Sequence, residues 1–472
     1  PKPAVMDCLT KKMADDMQYT KEVAPREGDV MPKFGVAGTA KLLDLWGLDY
    51  DAPEWDSLLD QLTWDEAVSL VTKGGGTGGA VSVGAPGSEG KDGPGGIGVA
   101  NANLPNVMCF PSECLMAATF NDELIEELGN AFGMEILHVG GYAGIYGPGA
   151  NIHRSAFSGR NFEYYSEDPF ISGKMLAREV KGLQSRGVIV FTKHFALNDE
   201  ERNRYGVSVW ANEQSIREIY LKPFETGVRE GGMNGIMSSF NRIGTAWSGK
   251  HGGLLTEVLR NEWGFLGVVQ TDAYVGTHMH RALAESIVAG NDFTMGGANP
   301  RALDSYKNNA TVGKALRDCS HRILYTQLHS LAMNGLSVDY RIVYQKAWWR
   351  VAIDDGRIIA GLLSVAGFAM LIASFFVVYG VNKKKRLVEL RLQTAMNESV
   401  DGVVKDPAPV RYFFDVFPKS FTAITASVIA VAVIASIIIP VAVAAGNVVR
   451  HECTSVCSVC GGCQNFDCKE KA

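Results

Sequence analysis

Residues 261–275, NEWGFLGVVQTDAYV, decide the fold. An apolar run, Leu266 to Val269, leads into a single carboxylate, Asp272, with small or aromatic residues on both sides. A short β-branched run ending in a lone acid reads as a buried parallel strand that presents a charge at its C-terminal end. In an α/β barrel, catalytic side chains stand on that face. The same letters also fit a strand followed by a helix cap, because Asp caps helices well. The flanking chain has to decide between the two.

Outward from this stretch, between Asn121 and Leu324, helical and apolar segments alternate. NDELIEELGNAFGMEILHV and KMLAREVKGLQSRG carry helical periodicity. YAGIYGPGAN, VIVFTKHFALN, GIMSSFN, LGVVQTDAY and NDFTMGG read as short strands. Strands alternating with helices predict a parallel sheet. Five or more such repeats within ~250 residues predict an α/β fold of the TIM-type (β/α)8 barrel class, with a doubly wound sheet as the alternative.

Polar residues gather where these runs end. Lys193 and His194 follow VIVFT, Phe240 and Asn241 follow GIMSS, and Asp272 follows GVVQT. After YAGIYGPG comes NIHRSAFSGRNFEYYSEDP, with His153, Arg160, Glu163, Glu167 and Asp168. Each has an ordinary structural role available: Lys193 as a solvated lysine, His194 as a satisfied core histidine, Arg160 as the ion partner of Glu163 or Asp168. Four separate strand ends bearing such groups point instead to one shared site.

Residues 1–54 mix charges with Pro and Gly and are expected to be a linker or the tail of an upstream domain. The barrel is expected over 55–340. A helix should start near Thr63, where TWDE has capping-box spacing. Gly74 to Gly98 is glycine-rich and fits a flexible linker. It also contains Asp92 in a DGPGG turn, where glycines let backbone approach a ligand.

Two long charge-free segments follow the barrel, 358–381 and 420–449. Both exceed the ~20 residues needed to cross a bilayer and are expected to be transmembrane helices. The loop between them, 382–419, carries Lys383, Lys384, Lys385 and Arg386, with Arg391, Lys405, Arg411 and Lys419. The positive-inside rule puts that loop in the cytoplasm, so the barrel and the tail 450–472 would face outward from the cell membrane. That tail holds Cys453, Cys457, Cys460, Cys463 and Cys468; its spacing allows disulfides or a structural zinc site, and disulfides are favoured outside the cytoplasm. The net charge of −6 gives no footprint for nucleic acid, and no cofactor motif or catalytic metal set is evident. The start at Pro1, without an initiator Met or a signal peptide, suggests a processed or truncated product.

The segments NIHRSAFSGRNFEYYSEDP, TKHFALNDEERNR, MSSFNRIGT and NEWGFLGVVQTDAY, in this order, resemble the barrel domain of glycoside hydrolase family 3, the β-glucosidase family. ALRDCSHRILYTQLHSLAMNG resembles the end of that barrel, so the likeness runs from about Trp55 to Gly335. The resemblance implies that Asp272 is the nucleophile. It implies that Asp92, Arg160, Lys193 and His194 hydrogen-bond the hydroxyls of the innermost sugar. Phe240 stands in the same subsite where members usually carry Tyr, and Ala273 where Trp is common, which puts the preferred sugar in doubt. In two-domain members the acid/base Glu comes from an α/β sandwich domain after the barrel; here the chain runs into an apolar segment instead. A permuted parent, with the sandwich ahead of the barrel, fits that arrangement. Single-domain members place their acid/base in a loop near the Lys-His pair, which offers Glu200 or Glu201.

The expected function is therefore a membrane-anchored retaining β-glycosidase, most simply a β-glucosidase, with its acid/base on a domain absent from this chain. The rivals are a degenerate barrel that only binds sugars, a Schiff-base aldolase using Lys193, and a purely structural anchor.

Overall fold

The computed structural model describes residues 10–17, 22–98, 107–273, 282–334 and 348–397. They divide into two units, treated separately: the residues up to Asn334, and one long helix.

The first unit is built on five parallel strands, β1 (Gly90–Asp92), β2 (Gly144–Tyr146), β3 (Ile189–Phe195), β5 (Gly235–Ser238) and β8 (Val268–Thr271), paired in that order. Between them lie β4 (Ser208–Val209), β6 (Arg242–Ile243) and β7 (Ala246–Trp247), which form a small separate sheet. Strands β2, β3, β5 and β8 are buried at every residue. Burial on both faces is why their sequences are nearly continuous apolar runs rather than alternating ones. Their side chains still alternate between two cores. Ile145, Val190, Ile236 and Val269 join the cluster containing Phe132, Leu176 and Phe224. Tyr146, Phe191, Met237 and Val268 join the other, with Trp55, Phe293 and Leu316.

The sheet curls on itself. Phe293, bridged in parallel to Gln270 of β8, brings its ring to 5.8 Å from that of Phe191 on β3. Single hydrogen bonds then close the ring. Gly75 N–H donates to the Met295 carbonyl at 2.5 Å, and Gly90 N–H of β1 donates to the Gly75 carbonyl at 2.7 Å. Five regular strands thus stand among the described residues where eight were expected. Two further positions on the ring are held by Phe293–Met295 and Gly75, in glycine-rich segments without regular ladders.

The helices start where the local signals put them. Helix α1 (Glu54–Gln61) precedes α2 (Trp64–Thr72), which opens on the expected reciprocal capping box of Thr63 and Glu66. Helix α3 (Glu113–Ala117) is short; α4 (Asp122–Val139) is capped by Asn121, and α5 (Pro169–Gln184) by Asp168. Asp168 is therefore a cap and not a site residue. Helices α6 (Lys222–Gly231), α7 (Leu283–Val288) and α8 (Ala310–Leu328) follow, with a π-helical segment over Gly253–Glu262 leading into β8.

Residues 22–54 are not a free linker. Leu42 and Leu45 are buried in the core, and Asn309 Nδ2 donates to the Val23 carbonyl at 2.7 Å. Thr311 Oγ1 accepts from Arg26 N–H at 2.7 Å. Mixed charge hid this packing, because only a few scattered apolar residues make it.

The second unit is α9 (Trp348–Asn397), a helix that is long and apolar enough to cross a membrane by length and composition. It contains the expected segment 358–381 and does not end there. Residues 382–397, expected as loop, continue the same helix, since Lys, Arg, Leu and Glu all favour it. The rest of that loop, the segment 420–449 and the tail 450–472 lie outside the described residues.

Candidate active site

The strand ends converge. Asp92 ends β1, Lys193 and His194 lie among the last three residues of β3, Phe240 follows β5 by two residues, and Asp272 follows β8 directly. Arg160 enters on the loop after β2. That loop is held against β3 by a parallel bridge from Gly149 to Lys193, and folded back on itself by a second from Gly149 to Tyr164. A Cβ at Gly149 would run into the carbonyl of Glu163, so glycine is required for this close approach.

Lys193 sits between two carboxylates, with Nζ 3.0 Å from Asp92 Oδ1 and 3.3 Å from Glu163 Oε2. Its side chain is 4 % exposed, so the pairing is what keeps a buried ammonium tolerable. Arg160 Nε donates to Glu163, and its Nη1 lies 3.7 Å from Glu201 Oε1. Glu201 in turn accepts from Arg204 Nη1 at 2.6 Å. The result is an alternating ionic chain from Asp92 to Arg204 along one side of the site.

Asp272 stands apart from this chain. Its Oδ1 accepts from Ala273 N–H at 2.6 Å, while Oδ2 is buried without a hydrogen-bond partner among the described residues. Burial raises its pKa to about 6; the Ala273 N–H and the charges of Arg160, Lys193 and Arg204 act in the opposite direction. His194 faces it, with Nε2 3.5 Å from Oδ2. Burial, with Arg160, Lys193 and Arg204 adding to it, pushes the imidazole well below its ordinary value, so the ring is neutral and the contact is not an ion pair. Tyr164 Oη lies 3.2 Å from His194 Nδ1, and Asn151 Oδ1 accepts from the His194 backbone N–H at 2.7 Å. These two orient the ring.

Phe240 is buried against Trp247 and Ala273. Its face receives the Arg204 guanidinium, 4.8 Å from the ring centroid. Asp92, Arg160, Lys193, His194, Phe240 and Asp272 are thus brought to this one end of the barrel. Of the two glutamates in the loop after β3, Glu200 is exposed and accepts from Arg202 N–H, while Glu201 is tied into the ionic chain. Asn151, Tyr164 and Arg204 were not anticipated as site residues. All three lie inside the quoted motifs, but two are neutral and none ends a strand. Among the described residues no group of His, Cys, Asp and Glu could hold a metal ion.

A curled parallel sheet with a lone carboxylate at a strand end, beside a neutral imidazole and a chain of ion pairs, has the architecture of a TIM-like α/β barrel with its site on the C-terminal face. Residues 95–323 match the Glycosyl hydrolase family 3 N terminal domain. The chain is 37 % identical over 294 residues to a β-glucosidase A of Butyrivibrio fibrisolvens, covering 62 % of this chain and 34 % of that protein. It is 39 % identical over 278 residues to a β-glucosidase of Rhizobium radiobacter, covering 57 % of this chain and 33 % of that one. The structure resembles that of β-glucosidase 3B from Thermotoga neapolitana in complex with α-D-glucose. The TM-score is 0.53 at 32 % identity, over 64 % of this chain and 46 % of that one. The chain spans about a third of the length of these two sequence relatives.

Proposed function

We propose that this chain carries the nucleophile-bearing barrel of a retaining β-glycosidase that acts on terminal β-glucosides. The observation that carries the reading is Asp272, a strand-end carboxylate with one oxygen pinned by a backbone N–H and the other without a hydrogen-bond partner among the described residues. Asp272 Oδ2 attacks the anomeric carbon, and the bond from that carbon to the glycosidic oxygen breaks. The departing oxygen keeps the electron pair and takes a proton from an acid. Water then attacks the same carbon, gives its proton to the conjugate base, and frees the carboxylate. Asp92, Arg160, Lys193 and His194 supply hydrogen bonds to the sugar hydroxyls that strengthen as charge develops.

The acid/base belongs to polypeptide outside this chain, from an α/β sandwich domain of a permuted parent. Asp92 and Glu163 are paired with Lys193, and Glu201 with Arg204, so none of the three stands free to face a leaving group. The short span relative to the β-glucosidases supports the same reading. We also propose that α9 and the segment 420–449 anchor the chain in the cell membrane with the barrel outside; the apolar length of α9 supports this. Resistance of the membrane-bound chain to alkaline carbonate extraction tests the anchor, and release into the supernatant overturns it.

The second reading is a barrel that binds sugar without turnover, favoured by the absence of a hydroxyl at Phe240. One experiment separates the two: incubation with a 2-deoxy-2-fluoro-β-glucoside bearing a dinitrophenyl leaving group, then peptide mass spectrometry. This leaving group departs without protonation, so labelling needs no acid. An adduct on Asp272, absent in Asp272→Asn, supports the glycosidase. Glucose binding without an adduct supports the sugar-binding barrel.

A further inference from the structure

Glu113, the first residue of α3, is 1 % exposed, and neither of its carboxyl oxygens has a hydrogen-bond partner among the described residues. No ion pair reaches it among those residues either. Its helix packs against two elements: α5, and the 161–163 turn, which Arg160 enters and Glu163 ends. Met116 and Ala117 of α3 join Tyr165, Met175 and Leu176 in one apolar core. An ionised carboxylate without partners in such a core is costly enough that the group takes up a proton instead.

The groups that bear on Glu113 come from three sides. From α5 comes Glu179, 3 % exposed; from the 161–163 turn, Glu163; from β3, Lys193. Lys193 is already held by Asp92 and Glu163, so it does not neutralise a further acid. Lys174 of α5 pairs with Glu230, and Arg178 with Asp122 and Glu126. On α3 itself, Cys114 Sγ lies 3.3 Å from Ser112 Oγ. Tyr165, in the segment between the turn and α5, donates its hydroxyl to Glu179 Oε2. Two acids thus share one buried region, and only one of them has a donor. Glu179, with the phenol, is suited to carry the negative charge; Glu113, with none, is the member that keeps a proton.

We propose that Glu113 stands as a neutral carboxylic acid at neutral pH, the proton-bearing half of a buried pair with Glu179, and that α3 is thereby a pH-sensitive seat for the turn carrying Arg160 and Glu163. Loss of the proton puts a further charge beside Glu179 and Glu163, and the contact of α3 with the turn weakens. The inference does not depend on which reaction the barrel performs. In keeping with it, burial and then Glu179 hold the Glu113 carboxyl well above the ordinary carboxylate range, against its own backbone N–H. Burial raises Glu179 as well, against the Tyr165 hydroxyl.

The test compares the full wild-type chain with Glu113→Gln, which replaces a neutral acid by a neutral amide, and Tyr165→Phe, which strips Glu179 of its donor. Thermal melts are followed by near-ultraviolet circular dichroism at pH 5 and pH 8.5. The folded chain holds the Glu113 proton more tightly than the unfolded one, so the stability it lends is present in acid and lost as pH rises. Glu113→Gln has no such proton to lose. It should melt about 3–8 °C above wild type at pH 8.5 and within about 2 °C of it at pH 5. Infrared spectra at pH 7, with carbon-13 in the glutamate side-chain carboxyls to set their bands apart from those of buried aspartates, give the second readout. The wild type should show the C=O band of a neutral acid, and Glu113→Gln should lose it. Tyr165→Phe should enlarge that band, and serves if Glu113→Gln fails to fold. A wild type without a neutral glutamic acid band overturns the inference, as does a Glu113→Gln melting difference that is the same at both pH values.

Discussion

His194 Nε2 lies 3.5 Å from Asp272 Oδ2, and among the described residues no hydrogen-bond donor satisfies that oxygen. A neutral ring beside an almost buried carboxylate leaves Asp272 destabilised as an anion. Its pKa rises from the ordinary 3.8 to about 6, chiefly through burial. The folded state therefore binds a proton more tightly than the unfolded state between roughly pH 4 and 6. Stability from this group is present at low pH and lost as pH rises through about 6. Asp272→Asn should accordingly raise stability at pH 7.5, by on the order of 2–3 kcal/mol at most, and the gain should shrink toward pH 4. Urea unfolding at the two pH values measures it; equal gains at both would contradict the assigned environment.

Lys193 is shared by Asp92 and Glu163 at 3.0 and 3.3 Å. Lys193→Met leaves Glu163, 2 % exposed, with Arg160 as its ion-pair partner. Breaking a buried pair by removing one member costs about 3 kcal/mol or more. Thermal melts should show a clear fall in Tm, accompanied by loss of labelling. An unchanged Tm would mean that Lys193 is not buried between the two acids.

Gly149 has room for no side chain, because a Cβ would strike the Glu163 carbonyl. Gly149→Ala should push the Arg160–Glu163 segment away from β3. Overpacking of this kind costs about 1–3 kcal/mol. Labelling of Asp272 should fall at least about 10-fold, since a small misplacement of positioning groups is felt strongly at the reacting centre. Labelling at the wild-type rate would show that the loop does not position the site.

Leu42 is fully buried although it precedes the first barrel helix. Leu42→Ala should destabilise the unit by about 2–4 kcal/mol in chemical denaturation. A change below about 0.5 kcal/mol would return residues 22–54 to the status of a linker.

Much of this protein is legible in its sequence because the deciding signals are local. The apolar runs at Val190 and Val268 report strands buried on both faces. The spacing of Thr63 and Glu66 reports a helix start, and Asp272 reports the polar end of a strand. Each depends on residues a few positions apart, so no tertiary information is needed. Family likeness then named the site residues one by one. Neither route could reveal that Lys193 would reach over β2 to Asp92, that Arg204 would settle on Phe240, or that residues 22–54 would pack on the barrel. Those contacts join residues far apart in the chain and form only once the sheet curls. The ionisation of the site follows the same division. The sequence by itself determined that a carboxylate would end β8; the tertiary structure decided how hard that carboxylate is to ionise, because desolvation is a property of the closed barrel around Asp272 and not of its neighbours in sequence.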